Sequence, residues 1–253
     1  MNKINNNKRL AVISGGFGLL GKAIGQQLSK DGFAVALLYH ETPKSEVKKI
    51  CESFSSPDVF VYQCDIKNPD EVAKVLQKIE KNIGPIYIGI HCANSPIIRK
   101  KVSDLDLETF KAQFNVGLFG GFSFFKNITL LLKQRREGTL IGLTTSAIEE
   151  NLVSGNFGGY ISAKSALKGL LKEFANELKQ YNVRVYAIAP GFIAGGINAD
   201  IPDRFIELLK EKFPNQQLTK PQDVAKTISL LCSKTEGKSD NLNILVDKFF
   251  LKK

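Results

Sequence analysis

Tyr160 and Lys164 stand four residues apart in the run Gly159-Tyr160-Ile161-Ser162-Ala163-Lys164-Ser165-Ala166-Leu167. If that run is helical, residues i and i+4 share a face, and a phenol and an ammonium project into the same space. A nearby cation favours tyrosinate and lowers a phenol pKa that otherwise lies near ~10. The pair is then a proton donor usable near neutral pH. An idle Tyr and Lys on a helix surface have the same spacing, so the rest of the chain must decide between the two.

The elements that would position this pair are legible as alternating strands and helices. Leu10-Ala11-Val12-Ile13 is a short apolar run followed at once by glycines, which reads as a buried strand. Leu20 to Lys30 has helical spacing, with Leu20, Ile24 and Leu28 on one face. Phe33 to Tyr39 is a second strand, followed by a helix over Glu46 to Phe54, a strand over Val59 to Gln63, a helix from Pro69 to Asn82 and a strand from Ile86 to His91. A long helical pattern runs from about Leu107 to Gln134, weakened by Gly117, Gly120 and Gly121, which imply close packing. Thr139 to Thr144 is a strand, Tyr160 to Tyr181 a helix, and Val183 to Ala189 a strand ended by Pro190-Gly191. This alternation predicts a Rossmann-type doubly wound parallel sheet of about seven strands. No linker or repeat divides the chain, so residues 1–253 are expected to form one domain, with a mobile substrate loop at about 191–219.

Composition narrows the function. The 253 residues are long enough to bury a core without disulfides or metal, and 43% of them are apolar. The cysteines at 51, 64, 92 and 232 lack metal or redox spacing, and with His40 and His91 as the histidines no zinc site is expected. Residues 1–9 are polar, without the apolar stretch of a signal peptide, and no run approaches a membrane span of ~20 residues. A cytoplasmic protein, off the membrane, is the expectation. The net charge of +10 favours acidic partners. Its clusters, Arg99-Lys100-Lys101 and Lys133-Gln134-Arg135-Arg136, lack interleaved aromatics, so no nucleic acid is expected.

The first strand leads into Ser14-Gly15-Gly16-Phe17-Gly18-Leu19-Leu20-Gly21. Glycines at 15, 18 and 21 let backbone amides approach a pyrophosphate held by the helix terminus. With Tyr160 and Lys164, this turn resembles the short-chain dehydrogenase/reductase family, and the likeness covers nearly the whole chain. The resemblance implies cofactor contacts from Gly15, Phe17, Gly18, Leu20 and Gly21. It also implies that Asp65, with Ile66, contacts adenine, although Asp65 could equally serve the helix that follows Asn68-Pro69. His91-Cys92-Ala93-Asn94 stands where the family has Asn-Asn-Ala-Gly and keeps only Ala93. Asn115 falls where the family has a mid-helix asparagine thought to hold a water that links the catalytic lysine to solvent. Pro190-Gly191-Phe192-Ile193 matches the turn over the nicotinamide, with Ile193 on the carboxamide, whereas Gly195 replaces a threonine and Val246-Asp247-Lys248-Phe249 replaces a glycine-rich turn.

The family also needs a hydroxyl at the end of the fifth strand. Alignment from Gly138 selects Thr145, and counting back from Tyr160 with the smallest insertion selects Ser146, which is the preferred choice. At the end of the second strand, an acidic residue would accept from the ribose of NAD. Tyr39 occupies that position, and His40, Thr42 and Lys44 could contact a 2′-phosphate, so NADP is expected, with NAD kept open by Glu41.

These residues together imply hydride transfer to a carbonyl, with Tyr160 as proton donor, Ser146 or Thr145 on the same oxygen, Lys164 lowering the phenol pKa, and Asn115 completing the proton path. The expected substrate is a 3-oxoacyl thioester on an acidic acyl carrier protein, as in fatty acid or polyketide biosynthesis, with Arg135 and Arg136 near the docking face. A reductase of a small alcohol, sugar or steroid-like ketone is the enzymatic alternative, and a non-catalytic dinucleotide sensor or assembly partner is the alternative of another class. The resemblance further implies a homotetramer or dimer, to which Phe249-Phe250-Leu251 would contribute.

Overall fold

The computed structural model describes residues 4, 8–54, 56–149, 156–211, 217–233 and 243–246, the side chain of Lys44 excepted. Seven parallel strands lie in the order β3-β2-β1-β4-β5-β6-β7. They are β1 (Leu10–Ser14), β2 (Ala34–Tyr39), β3 (Val59–Gln63), β4 (Ile86–His91), β5 (Gly138–Leu143), β6 (Val183–Pro190) and β7 (Asn243–Val246). Burial on both faces explains why β1, β5 and β6 read as continuous apolar runs instead of alternating ones.

Helices cover the two faces: α1 (Leu19–Lys30), α2 (Lys44–Glu52), α3 (Pro69–Asn82), α4 (Leu107–Phe114), α5 (Gly121–Arg135), α6 (Gly158–Leu178), α7 (Asp203–Glu211) and α8 (Pro221–Ser233). One apolar cluster joins Phe124, Phe125, Ile128 and Leu132 of α5 to Leu167 and Leu171 of α6, with Val72 and Leu76 of α3 beneath the same face. The opposite cluster joins Ile24 and Leu28 of α1 to Val224 and Ile228 of α8. Asn68 caps α3 by accepting from the amides of Asp70 and Glu71, so Asp65 is released from that duty.

Two features depart from the sequence reading. The long helix is interrupted by a π-helical stretch, Asn115–Gly120, between α4 and α5. The segment 191–219 contains α7, whose amphipathic pattern was hidden inside a span rich in glycine and proline. All four cysteines are free, as two buried thiols at Cys64 and Cys232 and two half-buried ones at Cys51 and Cys92. The expectations for residues 247–249 and for Phe249-Phe250-Leu251 lie outside the described residues. No helix among the described residues is long and apolar enough to cross a membrane.

The sheet order places a topological switch between β2-β1 and β4. Chain connections leave β1 on opposite sides there, and a crevice opens beyond the carboxyl ends of β1 and β4. Every residue of the glycine turn, the turn after β4 and the turn after β5 borders that end of the sheet.

Candidate active site

Tyr160 lies in the first turn of α6 and Lys164 one turn later. The helix can begin there because Gly158 and Gly159 carry no side chains. A Cβ at Gly158 would stand 2.2 Å from Val102 Cγ2, and one at Gly159 would stand 3.0 Å from Gln113 Cγ. Lys164 is buried, and its Nζ donates to the carbonyl of Leu143, the last residue of β5, at 2.7 Å. The same ammonium stands 5.8 Å from the centroid of the Tyr160 ring. The Tyr160 hydroxyl is hydrogen-bonded to the side chain of Thr145.

That bond separates the hydroxyl candidates. Thr144 donates from Oγ1 to Ile188 O at 3.1 Å and is spent on strand structure. Thr145, extended at φ −158°, meets Tyr160, whereas Ser146 begins a short 3-10 turn through Ile148. This favours Thr145 over Ser146, the choice preferred from the sequence. The strand runs in register from Gly138 to Leu143, which puts Thr145 two residues beyond its end.

Burial pushes the Tyr160 phenol up to about 12, although its bond with Thr145 pulls the other way. Burial also pushes the Lys164 ammonium down to about 8. The expected lowering of the phenol by Lys164 is not found in this state: desolvation dominates, and the ammonium is engaged by Leu143 O. At neutral pH the phenol keeps its proton and the lysine keeps its charge. This is the protonation state from which Tyr160 can donate.

The crevice is built for close approach. Gly15 has φ +66°, and a Cβ on it would lie 2.7 Å from Ala93 N, so the glycine turn and the turn after β4 nearly touch. A Cβ at Gly21 would lie 2.1 Å from Gly15 O. Gly18 precedes α1 with no side chain capping the helix, which leaves the amides of its first turn for an anion. Leu20 is partly buried against the core behind this turn. At the end of β2, Phe17 stacks on Tyr39 with ring centroids 4.6 Å apart. His40 lies between carboxylates, 3.8 Å from Glu41 and 3.7 Å from Asp65, and Lys67 Nζ approaches Asp65 at 3.7 Å. Ile66 is buried beside Asp65, under Gly120. These residues fit a dinucleotide: unobstructed amides for the pyrophosphate, and an aromatic and charged rim for the adenosine.

Opposite, Pro190 ends β6, Gly191 N donates to Val246 O at 3.0 Å, and Ile193 is buried. Gly195 and Gly196 have φ of +85° and +59°, and Cβ atoms there would approach Leu19 to 3.6 and 3.2 Å. Glycine is required by this turn, which folds back over the start of α1, so its presence is explained without added flexibility. Arg99 ties the same segment down. It donates to Asp200 at 2.8 Å and Asn198 at 2.9 Å, with its guanidinium 5.5 Å from the Phe157 ring before α6.

The π stretch begins at Asn115 and changes which residues face inward, so that Gly117 and Gly120 are buried and Asn115 is exposed. What holds the stretch is His91, which sequence reasoning left without a role. Its Nε2 lies 3.0 Å from Gly117 O and its Nδ1 lies 2.6 Å from Ser14 Oγ. The carbonyl can only accept, so Nε2–H donates to it and Ser14 donates to Nδ1. Burial keeps this imidazole neutral, pushing its pKa down to about 3. The signal for it was the replacement of Asn-Asn-Ala-Gly by His-Cys-Ala-Asn. The expected docking arginines are engaged internally: Arg135 pairs with Glu80, and Arg136 donates to Gln180 O at 2.9 Å.

A parallel sheet with its crevice at the switch point and a Tyr-Lys pair on the following helix defines a nucleotide-linked oxidoreductase. A family model described as enoyl-(acyl carrier protein) reductase matches residues 19–248. The chain belongs to the short-chain dehydrogenase/reductase family and is an enzyme of that family. It is 26% identical over 244 residues to acetoacetyl-CoA reductase of Allochromatium vinosum, covering 94% of this chain and 97% of that protein. To the 3-oxoacyl-(acyl-carrier-protein) reductase FabG of Staphylococcus epidermidis it is 24% identical over 229 residues, 88% of this chain and 91% of that one. Among solved structures, ElxO with NADP bound superposes with a TM-score of 0.86 at 21% identity, covering 97% of this chain and 100% of that one. Levodione reductase superposes with 0.86 at 18% identity, covering 95% and 96%.

The lowered Lys164 pKa sets a pH limit. Between about pH 8 and the ordinary lysine value of ~10.4 the unfolded chain binds the proton that the folded chain has released, so stability rises with pH across that window. Carbonyl reduction, which needs the charged form, is expected to fall as pH rises past about 8. Cofactor oxidation followed from pH 6 to 10 checks this, and Lys164→Arg should remove the alkaline limb if any activity survives.

Proposed function

We propose that the protein is an NADP-dependent ketoreductase that reduces a 3-oxoacyl thioester to the 3-hydroxyacyl thioester, with the acyl group delivered on an acyl carrier protein. The observation that carries the reading is Tyr160 one helical turn before the buried Lys164, whose ammonium donates to Leu143 O and stands 5.8 Å from the Tyr160 ring centroid. The bound NADPH would supply the hydride that the carbonyl carbon accepts. Tyr160 gives its proton to the oxygen as the C–O double bond opens, and Thr145 donates to the same oxygen. The charge of Lys164 stabilises the negative charge that builds up on the phenol oxygen, after which solvent restores the Tyr160 proton.

The cofactor would be held by the glycine turn and first helical turn, Gly15, Phe17, Gly18, Leu20 and Gly21, at its pyrophosphate, by Asp65, Ile66 and Ala93 at its adenosine, and by Pro190, Gly191 and Ile193 at its nicotinamide. Tyr39 in place of a carboxylate and the nearby His40 support NADP, as do the superposable structures of ElxO with NADP bound and of actinorhodin polyketide ketoreductase with NADPH. The named relatives, an acetoacetyl-CoA reductase and 3-oxoacyl-carrier reductases, support the thioester. A role in fatty acid or polyketide biosynthesis and a cytoplasmic location accompany this reading, the latter in keeping with the free cysteines.

Carrier docking falls on Lys100 and Lys101 in this reading, rather than on Arg135 and Arg136. Both lysines are exposed, neither has an ion pair among the described residues, and Lys100 bridges to Phe157 just before α6. Lys100→Glu with Lys101→Glu should raise KM for a carrier-linked 3-oxoacyl substrate by about tenfold at low salt while leaving a short free thioester unaffected. Equal effects on both substrates would remove the carrier. Self-association is supported by Phe119 of the π stretch and by Phe122 and Leu130 of α5, which are 57%, 46% and 56% exposed. Phe119→Glu with Phe122→Glu should reduce the mass in light scattering to that of one chain, whereas a wild type that is already monomeric would end the oligomer reading.

A further inference from the structure

We infer that Arg99 is a positioning residue whose guanidinium latches the turn after β6 to the loop after β4 and to the start of α6, and so governs how fast the cofactor leaves; the inference rests on the reading above for the place of the nicotinamide, beside Ile193. The central observation is how few polar contacts fasten that turn. Among the described residues, the hydrogen bonds that join 192–211 to another part of the fold are those of Arg99. It donates from Nη1 to Asp200 Oδ2 at 2.8 Å and from Nη2 to Asn198 Oδ1 at 2.9 Å. Gly191, just before, is fixed to β7 through Val246 O. Beyond it the turn closes on hydrogen bonds of its own, such as Asn198 N to Gly195 O and Ile201 N to Asn198 O, both at 3.1 Å.

Asn198 carries the latch to Ile193. Its Nδ2 donates to Ile193 O at 2.9 Å while its Oδ1 accepts from Arg99. A guanidinium can only donate, so Arg99 dictates which way the carboxamide faces and keeps Nδ2 on Ile193. Asp200 takes the other arm of the planar fork, although at 62% exposure it contributes less than a buried partner would. The Arg99 side chain is 21% exposed, and its Nε is buried without a hydrogen-bond partner among the described residues. The group is therefore withdrawn from water on the strength of its fork contacts, unlike an idle surface ion pair.

A latch needs a fixed post, and the loop after β4 supplies it. Arg99 Nη1 also reaches Ile97 O at 3.4 Å. The loop around it is pinned to α4: the Gln113 side chain donates to Pro96 O at 2.8 Å and accepts from Ile98 N at 3.3 Å, and Ser95 Oγ donates to Ala112 O at 3.2 Å. Gln113 is buried against Gly159, the residue before Tyr160. Lys100 bridges to Phe157, and the Arg99 guanidinium stands 5.5 Å from the centroid of the Phe157 ring. Phe157 O accepts from Ile161 N in the first turn of α6, the turn that carries Tyr160. One side chain thus joins the segment of Ile193 to the helix of the proton donor.

The test is the rate at which the full-length protein releases bound NADPH, followed by stopped-flow fluorescence on mixing with excess NADP, with melting of the cofactor-free protein measured alongside. Arg99→Ala should release NADPH about tenfold faster than wild type, with the association rate within about twofold. Asn198→Asp should do the same although its carboxylate still pairs with Arg99, because a carboxylate cannot donate to Ile193 O. Arg99→Ala with Asn198→Ala should be no faster than Arg99→Ala alone, since the two residues act in series. Release at the wild-type rate by Arg99→Ala or by Asn198→Asp overturns the inference, as does a double variant as fast as the product of its single changes. A lowered melting temperature with unchanged release, the mark of a merely structural residue, overturns it as well. If Arg99→Ala does not fold, Asn198→Asp decides. A wild type that binds NADPH but reduces no thioester removes the proposed reaction and leaves this test standing, whereas a wild type that binds no NADPH overturns both.

Discussion

The hydrogen bond from the buried Lys164 ammonium to the carbonyl of Leu143 is the constraint on which the site depends. Placing a charge at 5% exposure is costly, which is why the lysine is pushed down to about 8. The charge persists at neutral pH because an acceptor stands at the end of β5. That one bond also sets the register between β5 and α6. With Lys164 at Leu143, Tyr160 falls one turn earlier and meets Thr145, two residues beyond the strand. Gly142, where a Cβ would come within 2.5 Å of Leu171 Cδ1, lets the helix lie close enough for the register to hold.

Close approach on the other side of the pair is managed by the same means. A Cβ at Gly121 would stand 3.0 Å from His91, and one at Gly120 would stand 2.9 Å from Ile66. Glycines in a helix weaken it, yet here they bring α5 against the sheet, and the π stretch exposes a carbonyl that a neutral histidine satisfies. The buried polar groups at Ser14, His91 and Gly117 are thereby paired in a chain, as low dielectric demands. Catalytic geometry and core packing are consequently the same set of contacts. A change at His91 would disturb both.

Periodicity and turn chemistry exposed the strand order, the glycine turn and the Tyr-Lys pair, because each depends on local spacing. What stayed hidden depended on registers no local pattern records. The choice between Ser146 and Thr145 stayed open because an insertion before Tyr160 could not be placed. The π stretch that begins at Asn115 was not foreseen because a wider helical turn leaves no mark in hydrophobic spacing. The phenol pKa was expected to fall through Lys164, and burial reversed its direction, since desolvation is set by the whole fold. Helix α7 was missed because its nine residues are flanked by glycine and proline that read as loop. Arg99 was legible only as part of a basic cluster, although it spans to Asn198 and Asp200 across about a hundred residues of sequence.

The central claim is that Tyr160 supplies the proton while Lys164 and Thr145 hold it ready. Its most direct measurement is the single-turnover rate of NADPH oxidation by a 3-oxoacyl thioester in wild type and in Tyr160→Phe, with NADPH binding followed by fluorescence in both. The account predicts that Tyr160→Phe binds NADPH as wild type does and loses at least about a hundredfold in rate, the scale of general acid catalysis. A Tyr160→Phe variant that binds the cofactor and turns over at the wild-type rate would contradict it.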